Sequence, residues 1–179
     1  NATASMLLAM YIVAAEKQGV SADKIMGTTQ NDLLKEFVAR GTYAFPPNPS
    51  VQISVDLMEY CKDFVPKWNP ISVSGYHIRE AGSTAVQEVA FMLADAIEYL
   101  KIAKERNLDI EGICKRVSFF FAVHGNFFEE ISKYRAARRI WANILRKEFD
   151  VKDDNACKFR THSQTGGVTL TAQQPLNNI

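Results

Sequence analysis

Val117 to Val123 is an apolar run of strand length, broken only by Ser118, and it lies between two segments with helical apolar spacing. A strand that is apolar throughout is buried on both faces, as in sheets covered by helices. Helices between successive strands impose right-handed crossovers and therefore a parallel sheet. In the segment before the run, Val86, Val89, Ala90, Leu93, Ile97 and Leu100 fall on one stripe, with Gln87, Glu88, Asp95, Glu98 and Lys101 elsewhere. Ser83 or Thr84 is placed to cap that helix. After the run, a long helix is predicted over about Asn126 to Phe149.

The same rhythm extends along the chain. Ala4 to Lys17 reads as a helix stopped by Gly19. Lys24 to Thr29 reads as a short strand, and Asn31 as the cap of a helix to about Arg40, with Asp32 favourable at its positive end. Pro46, Pro47 and Pro49 predict an ordered loop over Gly41 to Pro49, before a helix from Val51 to Phe64. Ile71 to Ser74 alternates like a strand and ends at Gly75; Cys157 to Thr161 reads as one more strand, opening into a Gly166-Gly167 turn. Four strands are about half of an eight-fold barrel. The expected fold is therefore α/β: residues 1–179 supply roughly four β/α units of a parallel (β/α)8 barrel of the TIM type.

Composition removes several alternatives. With 47% hydrophobic and 23% charged residues the chain is that of a soluble globular protein, not a disordered one. A net charge of +1 gives no field that would gather nucleic acid or an anionic membrane. The basic cluster Lys133, Arg135, Arg138, Arg139, Arg146 and Lys147 reads as the solvated side of an amphipathic helix. Cys61, Cys114 and Cys157 form no CxxC pair and read as free buried thiols of a reducing compartment. Met6 to Ala15 is too short to span a bilayer and lacks a preceding basic residue, so a cytoplasmic or organelle-matrix location is expected. The start at Asn1 and the stop at Ile179 suggest a fragment.

Polar groups collect where strands are expected to end: Gln30, then His77 with Glu80, then His124, then His162 with Gln164. In a parallel barrel these share the C-terminal face, where active sites form. Strand-end histidines also cap loops through hydrogen bonds, and that reading stands beside the functional one. A neutral His77 can donate to a carbonyl or act as a general acid. No Asp or Glu lies at a spacing that would make His77, His124 and His162 a metal site. No GxGxxG, P-loop or nucleophile-elbow motif occurs. Gly75, Gly82, Gly166 and Gly167 read as loop glycines that let backbone approach a ligand. Arg116 is either a surface cation or a fork for phosphate or carboxylate.

GTTQNDLLKEFVARGTY (Gly27 to Tyr43), FPPNPS (Phe45 to Ser50) and WNPISVSGYHIREAGSTA (Trp68 to Ala85) resemble the large chains of methylmalonyl-CoA mutases. RVSFFF (Arg116 to Phe121), FFEEISKYRAARRIWA (Phe127 to Ala142) and FRTHSQTGGVTLTAQQPLNNI (Phe159 to Ile179) continue the likeness. The resemblance implies an isomerase that uses adenosylcobalamin and rearranges an acyl-CoA whose pantetheine arm threads the barrel axis. It implies that His77 bonds the migrating thioester carbonyl, with Tyr76 near the corrin face. It implies substrate or CoA contacts for Thr28, Gln30, Asn69, Arg116, Ser118 and Gln164, and places Glu80 with Gln164 near the adenosyl group. Arg40 would pair with the free carboxylate of methylmalonyl- or succinyl-CoA, which isobutyryl-type substrates lack. The cobalamin motif DxHxxG does not occur in the chain, so a cobalamin-binding domain or small subunit is an expected partner, in a dimer or heterotetramer. The competing expectation is an inactive piece with a structural or interaction role, since half a barrel leaves sheet edges open.

Overall fold

A computed structural model describes residues 1–178. The first strand, β1 (Gly27–Thr28), pairs in parallel with β2 (Trp68–Asn69); β3 (Ile71–Ser74), β4 (Val117–Val123) and β5 (Thr161–Thr165) form a parallel set in that order. Pro70 separates β2 from β3 because it has no N–H to give the ladder. Two bonds carry the pairing past it: Thr29 N donates to Asn69 O, and Ser72 N to Gln30 O, each at 3.0 Å. The two sets are thus one curved sheet in the order β1, β2/β3, β4, β5, as in successive units of a parallel barrel.

The helices α1 (Ala4–Lys17), α2 (Pro47–Phe64), α3 (Tyr76–Glu80), α4 (Ala85–Glu105), α5 (Ile110–Cys114) and α6 (Phe127–Glu148) lie between or before the strands. On the helix side of the sheet, Ile71, Val73, Val117, Phe119 and Phe121 pack on Met58 of α2, on Met92, Ala96 and Leu100 of α4, and on Trp141 and Leu145 of α6. Fully burying one such large side chain contributes roughly 1.5–3 kcal/mol. Thr84 and Gln87 form a reciprocal capping box at the start of α4, and Asn126 caps α6 through Glu129 N. All three cysteines are free and buried, and burial pushes the thiols of Cys61 and Cys114 up to about 12. No described helix is long and apolar enough to cross a membrane.

Several sequence expectations shift. The proline stretch opens α2 instead of closing a loop, because the first helical N–H groups have no partner to lose. Asn31 is not a helix cap: it is buried with φ of 38°, and Asp32 Oδ1 accepts from Lys35 N at 3.4 Å in its place. The helix to Arg40 ends as a π-helical turn over Glu36–Arg40, and the strand expected over Lys24 to Thr29 shrinks to β1. The last strand starts at Thr161, four positions later than the apolar residues suggested, so His162 and Gln164 lie within it. The buried face of α4 is also rotated. Val86 and Ala90 are exposed, while Glu88, Met92, Asp95 and Tyr99 face inward. Lys133 is likewise buried, bonded to Glu88 and Ala122 O, so it leaves the basic outer face.

Candidate active site at the barrel axis

Alternation along the strands sends one row of side chains to the helices and the other to the barrel axis. The axial row is small and polar: Ser72 and Ser74 on β3, Ser118 on β4, and His162 and Gln164 on β5, with Phe120 the one large member. An ordinary barrel fills this space with branched aliphatic layers. Here that row carries small and polar side chains instead.

At the C-terminal end of β3 the chain turns directly into α3, and Gly75 N donates to Phe120 O at 2.9 Å. A Cβ on Gly75 would come 2.8 Å from Glu88 Cγ, so only glycine permits this turn. The turn delivers Tyr76 and His77 together. Tyr76 stacks flat on Phe120 (centroids 4.9 Å apart, 3° between planes), and its hydroxyl accepts from Gln164 Nε2 at 3.1 Å. His77 stands edge-on to Phe120, and its Nδ1 lies 2.7 Å from Ser74 Oγ. Burial pushes His77 down to about 3, helped by the positive charges of Lys35 and Arg40. The imidazole is therefore neutral, and in the tautomer where Ser74 Oγ donates to Nδ1, Nε2–H is left as a donor.

Beside β1, Asn69 Nδ2 donates to Thr28 Oγ1 at 3.1 Å, and Gln30 Oε1 accepts from Lys35 Nζ at 2.9 Å. Arg40 stands at the end of the π-helical turn with a half-exposed side chain, its Nη1 3.4 Å from Glu36 Oε1. Together with Thr42, Tyr43 and Phe45 it lines a cleft of about 460 Å³. Ser118 Oγ donates to Ile71 O at 3.0 Å. Arg116 lies at the opposite end of the sheet, where Lys62, Lys115 and Arg160 join it around a separate cleft of about 550 Å³. The structure thus gathers Tyr76, His77, Gln164 and Glu80 at one rim, sets Thr28, Asn69 and Gln30 along the adjoining strand, and leaves Arg116 at the far mouth.

Glu80 Oε1 and His124 Nε2 are 3.9 Å apart, and both atoms are buried without a hydrogen-bond partner among the described residues. A Cβ on Gly166 would lie 2.5 Å from His124 Cδ2 and Nε2, and one on Gly167 would lie 2.9 Å from Glu80 Oε2. These glycines let the backbone close over protein side chains. No described group of three or more His, Cys, Asp or Glu residues is placed to hold a metal ion.

Sequence reading missed the layer behind the rim. Asp32 is fully buried; its Oδ2 accepts from Ser74 N at 2.8 Å and its Oδ1 from Tyr99 OH at 2.9 Å. Desolvation raises its carboxyl, while Lys35 and these donors oppose the rise. The available signal was the i, i+4, i+7, i+11 spacing of Glu88, Met92, Asp95 and Tyr99, a helical face with polar members.

The family model for methylmalonyl-CoA mutase matches residues 1–179. A methylmalonyl-CoA mutase large subunit from Streptomyces virginiae is 50% identical over the whole chain, which covers 24% of that protein. The methylmalonyl-CoA mutase of Rhizobium meliloti is also 50% identical over the whole chain, covering 25% of its length. The mitochondrial methylmalonyl-CoA mutase of Homo sapiens is 46% identical, again over the whole chain and 24% of its own length. The chain therefore spans about a quarter of the length of these relatives. With this match over every residue and a consecutive parallel β/α sheet, the chain belongs to the methylmalonyl-CoA mutase family and forms part of its (β/α)8 barrel.

Proposed function

We propose that the protein containing this chain converts (R)-methylmalonyl-CoA to succinyl-CoA and back, and that this part of the barrel binds most of the substrate. The observation that carries the reading is the polar axial row ending at a neutral His77. A pantetheine arm lying along Ser118 and Ser72 would put the CoA phosphates at Arg116, where Lys62, Lys115 and Arg160 add positive charge. Its thioester would then reach Gln30, Thr28 and Asn69, with the carbonyl accepting from His77 Nε2. Because His77 is uncharged, it can stabilise negative charge on the migrating carbonyl without handing over its proton. Arg40 keeps guanidinium N–H groups beyond the one facing Glu36, and these suit a free carboxylate.

The rim fits an adenosyl group: Glu80 Oε1 and His124 Nε2 are orphaned polar atoms, and Tyr76 with Gln164 offers an aromatic face and an amide. When bound, adenosylcobalamin supplies the radical chemistry that removes and returns a substrate hydrogen. Tyr76, Phe120 and the 166–167 turn would keep water from that region. The partner would be a cobalamin-binding domain or small subunit facing this rim, in a dimer or heterotetramer. The setting would be bacterial cytoplasm or organelle matrix, matching relatives from bacteria and the mitochondrial human protein.

The test is an isomerisation assay on the full-length protein with adenosylcobalamin, running methylmalonyl-CoA against isobutyryl-CoA. Succinyl-CoA is expected from the first and no product from the second. Arg40→Gln should cut methylmalonyl-CoA turnover at least tenfold while leaving CoA affinity within about twofold, since the lost contact belongs to the carboxylate. Equal losses in turnover and CoA binding would remove the carboxylate role, and turnover of isobutyryl-CoA alone would replace the substrate.

A further inference from the structure

Lys35 has no part in the reading above, yet its side chain is completely buried beside the residues that do. Its ammonium group faces three acceptors: Gln30 Oε1 at 2.9 Å, Asp32 O at 3.3 Å and Glu36 Oε1 at 3.7 Å. Two of these oxygens accept hydrogen bonds and the Glu36 carboxylate lies at ion-pair distance; burial pulls the lysine below its ordinary value, while the Asp32 and Glu36 charges oppose that shift and favour the ammonium form. With no exposed atom, Lys35 does not touch a ligand on the axis. A buried ammonium is costly, and a methionine of similar volume would fill the space without that cost.

We propose that Lys35 is a positioning residue that fixes the amide of Gln30 with its oxygen turned into the protein and its NH2 turned to the barrel axis, as a hydrogen-bond donor to the acyl-CoA. This inference rests on the mutase reading. The physical basis is the one-way chemistry of lysine. A glutamine amide can present either end, but an ammonium only donates, so Oε1 must face Nζ and Nε2 must face away. Among the described residues nothing accepts from Gln30 Nε2, which leaves its two N–H groups for a ligand.

The same cage also orders His77. Asp32 supplies the carbonyl that Lys35 binds, and its carboxylate holds Ser74 N, while Ser74 Oγ bonds His77 Nδ1. Gln30 and His77 thus become two donors held by one buried network. The positive charge of Lys35 also helps keep His77 unprotonated, in agreement with this arrangement.

The experiment is a double-mutant cycle in the full-length protein with adenosylcobalamin, accompanied by the affinity of the cofactor-free protein for succinyl-CoA and for CoA. Lys35→Met is expected to lower kcat ten- to a hundredfold with CoA affinity unchanged, and to weaken the preference for succinyl-CoA over CoA. Adding Gln30→Met to Lys35→Met should cause less than a twofold further loss, because Lys35 acts through Gln30. Gln30→Glu retains an oxygen for Lys35 and needs no buried methionine, so it tests the donor even if Lys35→Met does not fold. It should lose as much turnover as Gln30→Met. Fully additive losses in the cycle, or a Gln30→Glu protein with wild-type turnover, would overturn the proposal while leaving the mutase reading in place. A wild-type protein that isomerises no acyl-CoA would overturn both.

Discussion

Tyr99 offers the sharpest test of the buried network, because one hydroxyl serves three partners. It donates to Asp32 Oδ1 at 2.9 Å and accepts from Leu33 N at 2.8 Å and Leu34 N at 3.0 Å. Tyr99→Phe keeps the ring and creates no cavity, so packing terms should nearly cancel. What remains is one fully buried carboxylate oxygen short of a donor and two backbone N–H groups short of an acceptor. Each unsatisfied group costs roughly 1–3 kcal/mol, and partial relaxation of a shared site argues for a total of about 3 kcal/mol. At about 1.4 kcal/mol per tenfold, that is on the order of a hundredfold in a local opening equilibrium. Amide hydrogen exchange of the full-length protein, followed in peptides covering residues 31–40, reads this directly. Tyr134→Phe is the control: its hydroxyl meets Ser163 Oγ at a solvent-accessible position, and its loss should change exchange by less than about fivefold. If Tyr99→Phe left residues 31–40 as protected as in the wild type, the hydroxyl would not be holding that segment, and the account of Asp32 and Lys35 as a fixed cage would fail with it.

Two further outcomes follow from the rim. His77 is depressed to about 3, so turnover should show no His77 ionisation between pH 5 and 8, and His77→Ala should lower kcat far more than it raises KM. The linkage has a definite sign: below about 6.5 the unfolded chain takes a proton that native His77 refuses, so stability falls as pH drops toward 3, and His77→Gln should flatten that fall in acid unfolding curves. Gly166→Ala should disturb His124, since the new Cβ would lie 2.5 Å from its ring, whereas Gly125→Ala meets nothing within 4 Å. A melting temperature lowered by several degrees for the first and unchanged for the second would bear this out; equal behaviour would not.

Much of the fold was legible because its cues are local. The apolar run of β4, the stop at Gly19 and the cap at Thr84 are each read from a few neighbouring residues, and each lands where expected. Errors arose where a local cue was right in kind but tertiary context chose its use. Proline does exclude a helix interior, yet Pro47 and Pro49 sit in the first turn of α2, where there is no bond to break. The strand at the chain's end was sought among apolar residues, but β5 is the polar run Thr161–Thr165, exposed along its length. Among the candidate site residues, strand-end position pointed to His77, the approach to a strand pointed to Arg116, and the resemblance added Arg40. None of these could find Lys35, because a lysine five positions before Arg40 looks like surface charge until the fold buries it.

The two errors over charge share one cause. Glu88, Asp95 and Lys133 were assigned to solvent because charged side chains are seldom fully buried, yet all three are buried. In a barrel whose axis is filled by aliphatic layers there would be little need for them. Here, Phe120 apart, the axial row is serine, alanine, histidine and glutamine, so no aliphatic layer holds the strand ends from inside. They are fixed from the helix side instead. Glu88 Oε1 accepts from Ala122 N while Lys133 Nζ donates to Ala122 O, clamping β4 just before His124. Asp32 takes Ser74 N and clamps β3 just before His77. Buried polar groups that would only burden a packed barrel thus hold the rim of an open one, and removing either clamp should loosen the strand end it grips before it disturbs the apolar core behind.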